Sequence, residues 1–260
     1  TAIVEQNVAH LIFPDDVQTL PSDKKAGGPE GRVTQAAVVP AQSDIDAAVS
    51  LLNSAKRPMI IVGHGAHGAR NKIIALAEKI GAPVVTTFKA KGLVPDSHPN
   101  GAGVLGRSGT PIASWFMNEA DVLVAFGASF SNHTGIALKQ NIIQVDYDRM
   151  QLGKFHPVKV PVWGEIGAFC DAAAPSIKPH ADADAQMPEL AERWKMWRAE
   201  KHNRLAEEYG NGIHSFAIFE ALGRLVPDDT IFAVDVGNNT YSFGRYLETK
   251  GSQRVLMSGY

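Results

Sequence analysis

Gly63-His64-Gly65-Ala66-His67-Gly68 is the stretch with the plainest capacity for chemistry. It has the G-x-G-x-x-G spacing, follows the apolar run Pro58–Val62 and opens a helical pattern over 69–80, the context in which such a turn cradles a diphosphate. There Gly63 allows a tight reversal, Gly65 lets the backbone approach a phosphate, and Gly68 permits close helix–strand packing. The helix start offers unsatisfied N–H donors. Ordinary strand-to-helix turns that bind nothing share the pattern, so the flanking residues decide its meaning. A nicotinamide site expects a carboxylate about twenty residues further on, at the end of the next strand. That strand ends here in Thr87-Phe88-Lys89, which argues against a simple NAD dehydrogenase. The histidines (10, 64, 67, 98, 133, 156, 180, 202, 214) lack metal-ligand spacing; His64 and His67 form an i, i+3 pair without a third partner. The single cysteine, Cys170, excludes an intrachain disulfide framework and a cysteine-cage zinc site.

Positioning the glycine turn requires alternating helices and strands, and the hydrophobic pattern supplies them. Ser43 with Asp46 approximates a capping box and opens a helix over 44–54 that buries Ile45, Ala48, Val49 and Leu52. Residues 58–62 form a continuous apolar run, as a parallel strand covered on both faces should. A helix over 69–80, with Ile73, Leu76, Ala77 and Ile80 on one face, stops at Gly81, and a strand follows over 83–87. A helix over 111–119 and strands over 121–126, 141–146 and near 158–162 continue the series. The fold class is therefore α/β with a doubly wound, Rossmann-like parallel sheet. Upstream, residues 8–13 (VAHLIF) read as a buried strand ended by Pro14-Asp15-Asp16, and 18–40 as a polar linker. Downstream, a Pro/Ala/Asp-rich gap over 174–188 precedes an amphipathic helix over 188–209. That helix carries Leu190, Trp194, Trp197, Leu205 and Tyr209, of which Trp194 and Trp197 read as docking residues. A helix over 214–225 and a strand over 230–236 begin a further α/β region.

Composition narrows the partners. The 260 residues are 45% hydrophobic and carry 25 basic against 27 acidic side chains, a net of −2. Nucleic-acid binding and polybasic membrane attachment lose their electrostatic basis. No apolar run approaches the roughly 20 residues of a membrane span. A soluble, cytoplasmic protein is expected. The chain opens on Thr1 and stops at Tyr260 inside a glycine-containing stretch, and is expected to be a piece of something longer.

Taken in order, these residues resemble thiamine diphosphate-dependent enzymes of the acetolactate synthase and pyruvate oxidase type. Leu11-Ile-Phe-Pro14-Asp15-Asp16-Val17 is similar to the ending of that family's first, pyrimidine-binding domain. The central-domain resemblance runs through Arg57-Pro-Met-Ile-Ile-Val-Gly63, Gly81-Ala-Pro-Val-Val-Thr-Thr87, Lys91-Gly92, His98-Pro99 and Gly103-Val-Leu-Gly106. It continues in Ala120-Asp-Val-Leu-Val, Phe126-Gly127-Ala128 and Ile143-Gln-Val-Asp146. Pro227-Asp-Asp-Thr-Ile with Asp235-Val-Gly237 looks like the opening of the pyrophosphate-binding domain. The resemblance implies these segments: 1–17, the end of the pyrimidine domain; 18–40, a linker; 41–175, a nucleotide-binding-like central domain; 176–212, a linker with the amphipathic helix; and 213–260, the start of the pyrophosphate domain.

It also implies a site. Gly237, Asn238, Asn239, Ser258 and Gly259 fall where the family approaches thiamine diphosphate. In flavin-containing members the central domain carries FAD, and some members bind ADP there or nothing. The corresponding candidates are Gly63, His64 and Gly65 near the diphosphate, and Thr87, Phe88 and Lys89 nearer the ring. Gly106, Arg107, Gly127 and Ala128 lie in loops between them, and Asp146, Tyr147 and Asp148 towards the adenosine. The chain departs from the family where Gly127-Ala128-Ser129 stands for Gly-Ala-Arg, with Arg107 available as a substitute cation, and where Gly164-Glu165-Ile166 stands for Gly-Asp-Val. The glutamate that activates the cofactor and the Gly-Asp-Gly that holds Mg²⁺ are absent from this sequence, so no catalytic or metal residue is assigned. The implied parent is a homodimer or homotetramer acting on a 2-keto acid by decarboxylation, with carboligation or oxidation, while this chain alone is inactive. The alternative is a non-catalytic FAD- or NAD-binding module of electron-transfer or sirtuin-like kind; the lone cysteine weighs against the sirtuin version.

Overall fold

The computed structural model describes residues 2, 8–32, 37–131, 134–135, 140–180, 183–205 and 212–257, without the side chains of 183 and 184. The chain divides into two compact units, Thr1–Val38 and Val39–Tyr260.

In the first unit the described residues form one helical turn, α1 (Asp15–Gln18), with Val17 and Gln18 amides donating to the Pro14 carbonyl. The strand expected over 8–13 is not there. Those residues have no regular structure, and Val8, Leu11, Ile12 and Phe13 are exposed. Apolar β-formers make a strand only where a neighbour takes their backbone hydrogen bonds.

The second unit begins with α2 (Gln42–Ser54), which buries Ile45, Ala48, Val49 and Leu52 as expected. The capping box is not formed: the N-cap is Ala41, without a side-chain bond, and Ser43 sits inside the first turn. Then come β1 (Pro58–Val62), α3 (Arg70–Ile80), β2 (Val84–Thr86), β3 (Gly101–Val104), α4 (Pro111–Glu119), β4 (Val122–Phe126), β5 (Asn141–Asp146), β6 (Val160–Trp163) and α5 (Ile166–Ala173). The six strands are all parallel, in the order β3-β2-β1-β4-β5-β6. β1 and β4 lie at the centre and are buried throughout, which is why both read as unbroken apolar runs. One face of the sheet packs against α2, α3 and α5 through Ile60, Val62, Leu76, Val124 and Phe169. The other meets α4 and α6 (Ala183–Leu205) through Met59, Ile61, Phe116, Leu190, Trp194 and Trp197.

Helix α6 begins earlier than expected. Its buried side chains, Gln186, Leu190, Trp194, Trp197 and Lys201, recur every three or four residues along one stripe. Leu205 is exposed instead, and Tyr209 lies outside the described residues. Gln186 Nε2 donates to the Pro58 and Gly81 carbonyls, and Trp194 Nε1 to that of Gly101 at 2.7 Å.

The remainder comprises α7 (Ser215–Leu225), β7 (Ile231–Val234), α8 (Asn238–Tyr246) and β8 (Arg254–Met257), with β7 and β8 paired in parallel. It is fastened to the six-stranded region by hydrogen bonds from Thr249 to a buried, ion-paired carboxylate. Lys91 Nζ donates to Asp96 Oδ2 at 2.9 Å, and the Thr249 amide and hydroxyl donate to the same oxygen at 2.8 and 3.0 Å. Trp197 stacks on Tyr246 with centroids 5.9 Å apart. No helix among the described residues is long and apolar enough to cross a membrane.

Candidate functional site

In an open parallel sheet, ligands bind beyond the carboxyl ends of the strands, where the strand order reverses. Here the reversal lies between β1 and β4, because β1 is followed in sequence by β2 on one side while β4 continues on the other. A cavity of about 360 Å³ opens at that place. It draws His64 from the turn after β1, Thr87–Lys89 from the end of β2, and Leu105, Arg107 and Ser108 from the turn after β3. Gly127, Ala128, Ser129, Ser131 and Thr134 come from the segment after β4, and Met257 from β8.

Backbone interlocking joins two of the turns that supply this cavity. A Cβ on Gly63 would lie 2.0 Å from the Gly127 carbonyl oxygen, and one on Gly65 3.1 Å from Gly127 Cα. Gly127 itself has φ +57°, and a Cβ there would sit 2.7 Å from Gly65 Cα. The Gly63 amide donates to Phe126 O and the Gly65 amide to Gly127 O. Gly63 and Gly65 are thus spent on bringing the β1 and β4 turns together. They are not among the residues that line the cavity. The helix expected from residue 69 is preceded by a 3₁₀ turn over His64–Ala69. Gly68 does not supply the close packing expected of it, since a Cβ there would meet nothing within 4 Å.

The lining is largely apolar but carries two cations, Lys89 and Arg107. Lys89 and Arg107 make no ion pair among the described residues, and the lining includes no carboxylate. Thr87, Ser108, Ser129, Ser131 and Thr134 line the same space, with Phe88, Leu105 and Met257 among its apolar part. Cations, hydroxyls and one aromatic ring suit an anion that carries a planar group. Beside His64, at a centroid distance of 4.8 Å, the His67 imidazole is held below the ordinary histidine range, by burial first and then by His64 and Arg254.

The other candidates stand apart from this lining. Gly106 belongs to the Arg107 turn, where it accepts the Gly109 amide at 2.8 Å. Asp146, Tyr147 and Asp148 lie at the end of β5; burial raises the Asp146 carboxyl against the bond it accepts from the Asp148 amide at 2.9 Å. Tyr147 O accepts from Trp163 Nε1. Gly237 is the N-cap of α8, and Asn238 and Asn239 are its first residues; all three are exposed and line neither cavity described here. Ser258 and Gly259 lie outside the described residues. Among the described residues no three His, Cys, Asp or Glu side chains group as a metal site.

A larger cavity, about 670 Å³, lies between α6, α7 and residues 248–250. Three of its cations are already matched, Arg198 and Lys201 on Glu248 and Lys250 on Asp228, and its lining brings the carboxylates of Glu220 and Glu248. The smaller cavity at the strand ends is therefore the better candidate for an anionic ligand.

Residues 45–173 match the family model described as the thiamine pyrophosphate enzyme central domain. The chain belongs to the thiamine pyrophosphate enzyme family. It is 29% identical to a probable acetolactate synthase large subunit of Methanococcus aeolicus, over 96% of this chain and 45% of that protein. It is 28% identical to the acetolactate synthase isozyme 1 large subunit of Escherichia coli K12, over 96% of this chain and 44% of that protein. A sulfoacetaldehyde acetyltransferase of Castellaniella defragrans is 32% identical, over 78% of this chain and 39% of that protein. The chain spans less than half the length of these relatives.

As a thiamine pyrophosphate enzyme central domain, the structure gathers His64, Thr87, Phe88, Lys89, Arg107, Gly127 and Ala128 from the sequence candidates into one cavity. Arg107 and Ser129 share its wall, so that wall is cationic although position 129 carries no charge. Sequence reasoning missed Leu105, Ser108, Ser131, Thr134 and Met257. Ser108 follows β3 and Met257 belongs to β8, two strands the pattern did not reveal, and Ser131 and Thr134 are isolated hydroxyls without a period.

Proposed function

We propose that this chain is the central part of a thiamine diphosphate-dependent enzyme acting on a 2-keto acid, in the manner of the acetolactate synthases and the acetyltransferase it is similar to. The observation that carries this reading is the family match over 45–173, joined to a cationic cavity at the strand-order reversal. The cavity is a site for FAD or ADP. Lys89 and Arg107 supply charge to its phosphates, the hydroxyls of Thr87, Ser108 and Ser131 supply further hydrogen bonds, and Phe88 supplies an apolar face.

Gly237, Asn238 and Asn239 form one edge of the thiamine diphosphate site. They are exposed at the start of α8, where small amides and free backbone N–H groups face outward, which fits an edge contact with a diphosphate and no enclosing pocket. When bound, that cofactor supplies carbanion stabilisation after a 2-keto acid loses CO₂. This chain's part is to hold a phosphate edge and to keep neighbouring loops in place. Mg²⁺, the activating glutamate and the substrate contacts come from outside it. The working enzyme is a cytoplasmic homodimer or homotetramer, and the chain alone turns over no 2-keto acid.

Calorimetric titration tests both halves. FAD or ADP should bind the purified chain, and a preparation carrying flavin should be yellow. Thiamine diphosphate with Mg²⁺ should bind weakly or not at all. Sub-micromolar binding of thiamine diphosphate, or decarboxylation of pyruvate by the chain alone, overturns the division of labour.

A further inference from the structure

Helix α8 touches both places assigned above. Its first residues follow Gly237, and its last turn is pressed against the back of the cavity wall. A Cβ on Gly244 would lie 2.4 Å from Phe88 Cε2 and 2.8 Å from the Ser108 carbonyl oxygen, so helix backbone and cavity wall are in direct contact there. Phe243 meets Phe88 edge-on at a centroid distance of 6.4 Å. Arg245 completes the join: Nε donates to Gly109 O at 3.0 Å and Nη2 to Arg107 O at 3.2 Å. Both acceptors belong to the one turn that carries Arg107 and Ser108 into the cavity. At the other end, the Thr240 amide donates to Gly237 O at 3.0 Å and its hydroxyl to Asp235 O, tying the first turn of the helix to the end of β7. Asn238 and Arg245 are separated by about 10 Å of continuous helix.

We propose that α8 acts as a lever between the cavity and the Gly237-Asn238-Asn239 edge, with Arg245 as the positioning residue that fixes the 107–109 turn to it. A ligand that orders Arg107 and Ser108 also orders the start of α8, and loss of the Arg245 clamp separates the two. The ligand half of this idea rests on the cavity reading above; the mechanical half does not.

Hydrogen-exchange mass spectrometry on the full 260-residue chain separates those halves. In Arg245→Gln, amides in 105–110 and in 235–240 should both exchange about tenfold faster, the scale set by losing charge-assisted hydrogen bonds. Amides in 42–54 and 70–80 should keep their wild-type rates and so report an intact sheet. Faster exchange in 105–110 with 235–240 unchanged overturns the lever, as does no change in either. If the control segments also loosen, the variant is misfolded and Arg245→Lys decides by the same two segments; it retains a cation able to reach one carbonyl and should fall between wild type and Gln. Added ADP should slow 105–110 and 235–240 together in wild type, but only 105–110 in Arg245→Gln. ADP that protects 105–110 alone in wild type overturns the lever. ADP that protects neither overturns the cavity assignment, and the mutational comparison still judges the clamp.

Discussion

Gly63, Gly65 and Gly127 show how far a residue's meaning depends on what stands beside it. The G-x-G-x-x-G spacing implied a backbone brought close to phosphate. In the structure the first two glycines are brought close to another turn, and it is His64 and Gly127 that line the cavity. Alanine at 127 would need the left-handed conformation and would press on Gly65, so Gly127→Ala should cost about 3 kcal/mol or more. Gly68→Ala, with open space around it, should stay within about 0.5 kcal/mol of wild type. Urea unfolding midpoints distinguish the pair, and equal losses at both positions would show that the interlock does not matter.

At the scale of elements, α6 is held by its buried stripe and by ion pairs to the segment after α8. Burial works to raise the Glu248 carboxyl, but hydrogen bonds from Arg198 and Lys201 more than reverse that and hold it below the ordinary glutamate range. A carboxylate lowered in the fold gives its full stabilisation above its unfolded value, about 4.3, and loses it as the pH falls through the folded value. Thermal melts over roughly pH 3 to 6 should therefore show wild type losing stability on acidification more steeply than Glu248→Gln. Parallel curves would contradict the assignment. The legibility of the elements followed the same physics. β1 and β4, buried on both faces, and α3, with one clean apolar stripe, could be read directly from the sequence. β3 is Gly101-Ala-Gly-Val, too poor in β-branched residues to announce itself. α8 opens on Asn238-Asn239-Thr240, residues that read equally well as a polar loop. Residues 8–13 failed in the opposite sense, having strand composition but no regular structure. For the site, the loops after β1, β2 and β4 could be placed once the strands were known. Ser131, Thr134 and Met257 could not, because isolated hydroxyls and a short apolar run carry no period.

At the scale of the whole molecule, residues from 39 onward form one compact unit, in which the part after α6 is docked by the hydrogen bonds of Thr249 to a buried, charge-paired Asp96 as well as by apolar contacts. Asp96 takes three donors on one oxygen, so Asp96→Asn leaves the Lys91 ammonium buried without its counter-charge. The expected cost is about 3 to 5 kcal/mol. Lys91→Met in the same chain should restore part of it, since the unpaired charge is then gone. Chemical denaturation followed by tryptophan fluorescence checks this through Trp194 and Trp197; additive losses in the double variant would rule out a shared ion pair. The glycine interlock carries a consequence of its own for how such a cavity changes its occupant. The interlock is peptide against peptide and offers no side chain to exchange. Any shift in what the cavity accepts must be made at exposed lining positions such as 89, 107 and 129, where charge and bulk can be altered without disturbing the glycine contacts.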